Sequence, residues 1–363
     1  MGDLLRSKSV FLVGFVAVAT GPIEPPANAA PLPKWAIVNL GVLPGGNTSR
    51  ATAVNDQGVV AGYSNTAKGT YHAVRWNPTG GITDLGLLPG GTYSYAHGIN
   101  NRGEIVGYAN TANGTDRAVR WAPNGAITDL GTLPGRSGGY AAAINDTGAV
   151  VGYTPIQAGV FHAVRWKPGG PVSDLGTTSP LGSTTAAAIN KSGVVAGTTF
   201  EGSQERDYQA VTWAAGSTKL VALPPLPGGG PHSSAEGVSD KGLIVGYSQS
   251  DRNVPNIYPI HAALWARGAA TPTDLGTLTG AGGQSLANGV NAAGTIVGAS
   301  TTSTPGDNQA VLWKQDKTGW HIAPLPQLPL GKQSEATAVN NKDGVVGEAS
   351  TVTGQKFAVR WKQ

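Results

Sequence analysis

The chain contains no cysteine. That absence removes disulfide staples, a thiolate metal site, a cysteine nucleophile and a lipid-modified N-terminal cysteine. Charge is scarce too: 13% of the 363 residues are charged and the formal net charge is +4. The basic side chains are spread along the chain, not clustered, which argues against a nucleic-acid partner. There is no sustained helical period, and no apolar run approaches the roughly 20 residues of a membrane-spanning helix, so no transmembrane segment is expected. A shorter apolar run at residues 10–19 follows Arg6 and Lys8 and precedes Ala27-Asn28-Ala29. This is the layout of a secretion signal over residues 1–29. Its removal would leave 23 basic and 19 acidic residues, still +4. The expected location is secreted, extracellular or periplasmic, and residues 30–363 form one domain. A core of this size needs no disulfides there.

What the chain does have is glycine, proline and short apolar runs. There are 54 Gly and 25 Pro, yet 40% of residues are apolar. Val, Ile, Thr and Trp gather in runs of four to seven residues between Gly, Asn and Pro, which reads as short strands and turns. One run returns seven times: HAVRW to Trp76, RAVRW to Trp121, HAVRW to Trp166, QAVTW to Trp213, HAALW to Trp265, QAVLW to Trp313 and FAVRW to Trp361. The steps are 45, 45, 47, 52, 48 and 48 residues, the signature of a repeat architecture.

Each repeat reads as four strands. ATAV from Ala51 leads into Asn55-Asp56-Gln57-Gly58, a tight type I turn with a glycine bulge, and then into VVAGYS. The Trp strand is third, and ITDLG ending at Gly86 is fourth. The turn recurs from Asn100, Asn145, Asn190 and Asn291; Ser239 replaces the asparagine once, and Asn340 to Gly344 reads as one residue longer. A glycine recurs inside strand two (Gly62, Gly107, Gly152, Gly197, Gly246, Gly298, Gly347), and the expectation is that each tryptophan packs near one of them, in its own or the adjacent sheet. The segment KWAIVNLG at Lys34–Gly41 matches strand four, whereas the C-terminus stops after strand three. The expected fold is therefore all-β, a seven-bladed β-propeller of four-stranded antiparallel blades, closed by the N-terminal strand completing the last blade.

The HAV(R)W, IN-x-x-G-x-VVGY and TDLGTLPGG elements resemble those of the bacterial extracellular HAF repeat family across essentially the whole mature chain. Here valine stands where that family has phenylalanine, and histidine is present only at His72, His162 and His261. The resemblance implies an exported repeat protein and brings no catalytic residue, cofactor or ligand with it.

Searches for chemistry return little. Gly283-Gln284-Ser285-Leu286-Ala287 lacks the second glycine of a nucleophile elbow, and neither a zinc helix nor a phosphate loop is present. The three repeat histidines sit on separate blades, and the DLG aspartates fall one per blade, so each reads as turn or surface chemistry. No cofactor or metal is expected, and Glu201, Glu205, Asp207 and Asp251 match no oxygen-ligand loop. Specific function should sit where the repeats differ. The residue before the first-strand alanine is Arg50, Tyr95, Tyr140, Thr185, Ser234, Leu286 or Glu335, and the residue after it Thr52, His97, Ala142, Ala187, Glu236, Asn288 or Thr337. These should ring the channel mouth. Arg50, Tyr95, His97, Tyr140, Glu236 and Glu335 are the candidate ligand-binding residues, offering stacking faces and both charge signs. An ion pair between Arg50 and Glu335 is the alternative for those two. The long loops of blades 4 and 5, which include Tyr258, are the other variable region. The expected function is a non-catalytic, monomeric binding module for an extracellular glycan, polymer or protein. The alternative is a propeller enzyme acting on polysaccharide as lyase or hydrolase.

Overall fold

The computed structural model describes residues 35–179, 182–201, 207–251 and 259–363. The proposed signal segment lies outside them, as do Glu205 and Tyr258 of the long loops. Among the described residues, twenty-eight strands form seven four-stranded antiparallel sheets. Blade 1 runs through Ser49–Val54, Val60–Asn65, Tyr71–Trp76 and Ile82–Asp84, and its successors repeat that order. The exception is blade 7, whose outer strand is Ala36–Asn39, paired antiparallel with Lys356–Lys362 so that Ile37 faces Trp361. The seven first strands neighbour one another around a closed ring. The chain is thus a seven-bladed β-propeller.

The hydrophobic core lies between blades rather than within them. Each tryptophan joins a cluster that includes the leucine after the previous blade's fourth strand: Leu85 with Trp121, Leu175 with Trp213, Leu275 with Trp313, Leu325 with Trp361. Leu40 and Leu43, which follow the N-terminal strand, serve Trp76 in the same way. Four indoles add a hydrogen bond across the seam, to the carbonyls of Gly131, Leu175, Pro224 and Pro326 at 2.7–3.0 Å. A fully buried indole contributes at most roughly 4–6 kcal/mol by area. The tryptophans therefore bolt neighbouring blades together.

One local expectation is sharpened and one corrected. The atoms nearest the missing Cβ of each strand-two glycine are backbone. Every first strand carries a bulge at the alanine, for example between Ala51 and Ala53, which pushes its backbone against strand two. A Cβ at Gly107 would lie 1.9 Å from the Tyr95 carbonyl oxygen, and at Gly62 2.0 Å from that of Arg50. The turn at Asn340 is not longer. Asp343 takes the left-handed position at φ 58°, the place Gly58 fills at 78°, and Asn340 N bonds Gly344 O at 3.0 Å.

On the face of these turns the asparagines link the blades. Asn55 Nδ2 donates to Asn100 O, Asn100 to Asn145 O, Asn145 to Asn190 O, Asn190 to Ser239 O, Asn291 to Asn340 O and Asn340 back to Asn55 O, at 2.8–3.2 Å. Ser239 is too short to continue the circuit, and its hydroxyl accepts from Leu243 N in its own turn. This ring surrounds an axial cavity of about 210 Å³.

Candidate functional site

The opposite face carries the loops joining strands two to three and each blade to the next. There, in five blades, the residue before the first-strand alanine leans across the seam onto strand two of the preceding blade. Tyr95 meets Tyr63 (ring centroids 4.9 Å), Tyr140 meets Tyr108 (5.0 Å), Ser234 Oγ meets Thr198 Oγ1 (2.6 Å), and Leu286 packs with Tyr247. Arg50 meets Glu348 at 2.8 Å by the same rule.

Because several of these partners are aromatic, blades 1–3 carry a continuous belt of rings. It runs Tyr71, Tyr63, Tyr95, Tyr108, Tyr140, Tyr153 and Phe161, every step within 4.9–5.6 Å. Tyr93 flanks it, with its hydroxyl donating to Asp116 at 2.6 Å, and Tyr140 donates to the other oxygen of that carboxylate at 2.7 Å. His97 stacks on Tyr108 at 5.6 Å. Tyr71, Tyr63, Tyr95, Tyr140, Tyr153 and Phe161 all keep part of their surface exposed, while Tyr108 is buried beneath them. Seven of the chain's ten tyrosines stand on these three blades.

At the seam between blades 7 and 1 the belt meets a cleft of about 490 Å³. Arg50 forms its floor, with NH1 on Glu348 at 2.8 Å and NH2 on Glu335 at 3.0 Å. Lys356 Nζ approaches the same Glu348 oxygen at 2.8 Å, and Asn288 Nδ2 donates to Glu335 at 2.8 Å. Burial would lower the Arg50 pKa, but Glu348 and Glu335 more than offset it, so the guanidinium stays protonated. Burial likewise pushes Glu348 up, yet Arg50 and Lys356 hold its carboxyl below the ordinary value. The Tyr63 phenol is pushed up, chiefly by burial.

Of the six residues singled out from sequence, Tyr95, His97 and Tyr140 fall in the belt and Arg50 and Glu335 in the charged seam. Glu236 stands apart on blade 5, accepting from Ser234 Oγ at 2.6 Å. Sequence reading missed Tyr63, Tyr108, Tyr153 and Glu348, which face Arg50, Tyr95, Tyr140 and Glu335 across the first hairpin. Their signal was available: each follows the strand-two glycine. It also missed the strand-three partners of the DLG aspartates, His72–Asp84, His162–Asp174 and His261–Asp274 at 2.7–2.8 Å and Arg117–Asp129 at 2.7 Å. The second oxygen of each aspartate caps the following turn, as at Gly86 N (2.8 Å). Among the described residues no group of three or more His, Cys, Asp or Glu side chains is arranged to hold a metal.

Among solved structures the chain is similar to a puromycin-hydrolyzing peptidase from Mycobacterium tuberculosis, at 14% identity over 87% of this chain and 50% of that one, TM-score 0.56. A post-proline cleaving enzyme from Rickettsia typhi matches at 10% identity over 83% and 51%, TM-score 0.50. A gluconolactonase from Xanthomonas campestris matches at 12% identity over 91% and 90%, TM-score 0.42. The chain spans about half the length of the two peptidases, and at these identities the likeness is one of fold. No protein-family model matches the sequence, and no curated protein matches it.

Proposed function

We propose that this chain is an exported binding propeller of the HAF repeat type whose ligand is a glycan lying across the loop face of blades 1–3. The carrying observation is the aromatic belt. Seven rings in unbroken contact, most of them partly exposed, occupy a scaffold whose corresponding positions on blades 4 to 6 include Thr185, Ser234 and Leu286. A pyranose has an apolar face and a polar rim. It matches a belt of partly exposed rings bordered by hydroxyls and paired charges.

The charged seam suits binding better than glycoside hydrolysis. A general acid must carry a proton at working pH, which requires a raised pKa. Glu348 is held low instead, and it shares Arg50 with Glu335. One cluster favours the second reading, an enzyme acting on polysaccharide: the Asp116 carboxylate beneath the Tyr93 and Tyr140 hydroxyls. A glycan array with the purified protein, followed by a turnover assay on every hit, tests both. Binding without product release supports the module. Chain cleavage lost in Asp116→Asn would establish the enzyme instead.

A further inference from the structure

We propose that the cleft between blades 7 and 1 is a subsite for the terminal residue of a neutral oligosaccharide. This rests on the glycan reading of the belt and adds where the bound chain ends and what charge it carries.

The belt stops at this cleft for a definable reason. Tyr63 and Tyr71 of blade 1 occupy the strand-two and strand-three positions that Glu348 and Lys356 occupy in blade 7. Both tyrosines line the cleft, and both also touch Tyr95, at 4.9 and 5.7 Å. The last two rings of the belt, set edge to face at 86°, therefore give way directly to an ion pair. Beyond them the tight turn at residues 351–355 closes the end, with Thr351 N on Gln355 O at 2.8 Å and Gly354 N on Thr351 O at 3.0 Å. A ligand stacked along the belt reaches a wall here.

The charges at that wall cancel. Arg50 and Lys356 are matched by Glu335 and Glu348, and both arms of the guanidinium are already engaged. A uronate carboxylate would have to compete with Glu348 for Lys356, and an amine would have to compete with Lys356 for Glu348. A neutral diol meets neither penalty. One hydroxyl can accept from Lys356 Nζ, whose side chain is 41% exposed, while its neighbour donates to a carboxylate oxygen. Thr48 and Thr353 add hydroxyls to the same rim, and Tyr71 Oη lies 3.2 Å from Thr48 Oγ1. A volume of about 490 Å³ lies within the ordinary range for a small-molecule site.

The test titrates cellohexaose, laminarihexaose, mannohexaose, chitohexaose and hexagalacturonate into the full protein and into Lys356→Met and Tyr71→Leu, with thermal melts of each variant. At least one neutral hexamer should bind, hexagalacturonate should bind more weakly than it, and both variants should weaken the neutral ligand about tenfold. Saturation-transfer NMR should show the strongest transfer to one terminal sugar. Neutral binding unchanged in both variants, or transfer strongest at internal sugars, overturns the subsite and leaves the belt standing. A preference for hexagalacturonate overturns the neutral assignment. Failure of every hexamer to bind overturns the subsite and the glycan reading together.

Discussion

Arg50 and Glu335 stand 285 positions apart in the chain and meet at 3.0 Å, across the seam where the ring closes. Glu348 holds the other arm of the same guanidinium at 2.8 Å. Blades 7 and 1 are therefore joined by a buried charge cluster as well as by strand pairing and tryptophan packing. Replacing Arg50 with methionine leaves Glu335 without a cation and Glu348 with Lys356 alone. The expected cost is about 3–5 kcal/mol in urea unfolding, because breaking a buried pair is worse than never having it. The triple variant Arg50→Met, Glu335→Gln, Glu348→Gln should recover most of that loss.

Acid should act on the same seam. Glu348 has a folded pKa below its ordinary 4.5, so its pairing stabilises the fold fully above that value. The contribution is lost as pH falls from 4.5 through the lower folded value, where the carboxyl takes up a proton. Melting temperature measured against pH should drop over this window in the wild type. The drop should be shallower in the triple variant.

The asparagine ring offers a gain. Ser239→Asn should let its amide reach the Asn291 carbonyl, as each neighbour reaches the next blade, and complete the circuit. An added hydrogen bond of this kind is worth about 0.5–1.5 kcal/mol, to be read as a rise in melting temperature. A lower melting temperature would mean that the Ser239 turn cannot accept the asparagine geometry of the other blades.

The bulge makes a sharper claim about glycine. Gly107→Ala places a Cβ 1.9 Å from the Tyr95 carbonyl oxygen, backbone that can yield only by undoing the bulge. Its cost should reach or exceed the about 1–3 kcal/mol typical of overpacked sites. At Gly114, where φ is 82° and the surroundings are open, alanine should cost about 1 kcal/mol. Paired denaturant melts compare the two.

These results also show which parts of the molecule a sequence exposes. Blade number, strand order and ring closure were legible because Trp76 to Trp361 recur at near-constant spacing and the Ala36–Asn39 strand copies a fourth strand. The mouth positions were legible because they vary at a fixed place in the repeat. The direction of their side chains was not. A period of two assigns residues to the faces of a sheet, but a bulge at Ala51 and its counterparts resets that alternation. Tyr95 and Tyr140 consequently lean onto the preceding blade, and the belt depends on Tyr63 and Tyr108, whose contacts cross a seam that no local pattern reports. The Asp343 turn was misread for a related reason. Glycine marks the left-handed position in six blades, and an aspartate can also occupy it.

The most direct measurement is calorimetric titration of the strongest neutral oligosaccharide into wild type and Tyr95→Leu. Tyr95 touches Tyr63, Tyr71, Tyr93 and Tyr108, and leucine keeps apolar packing there while removing the flat face. The aromatic-belt account predicts at least about tenfold weaker binding with a melting temperature within a few degrees of wild type. Equal affinity in the folded variant would contradict it.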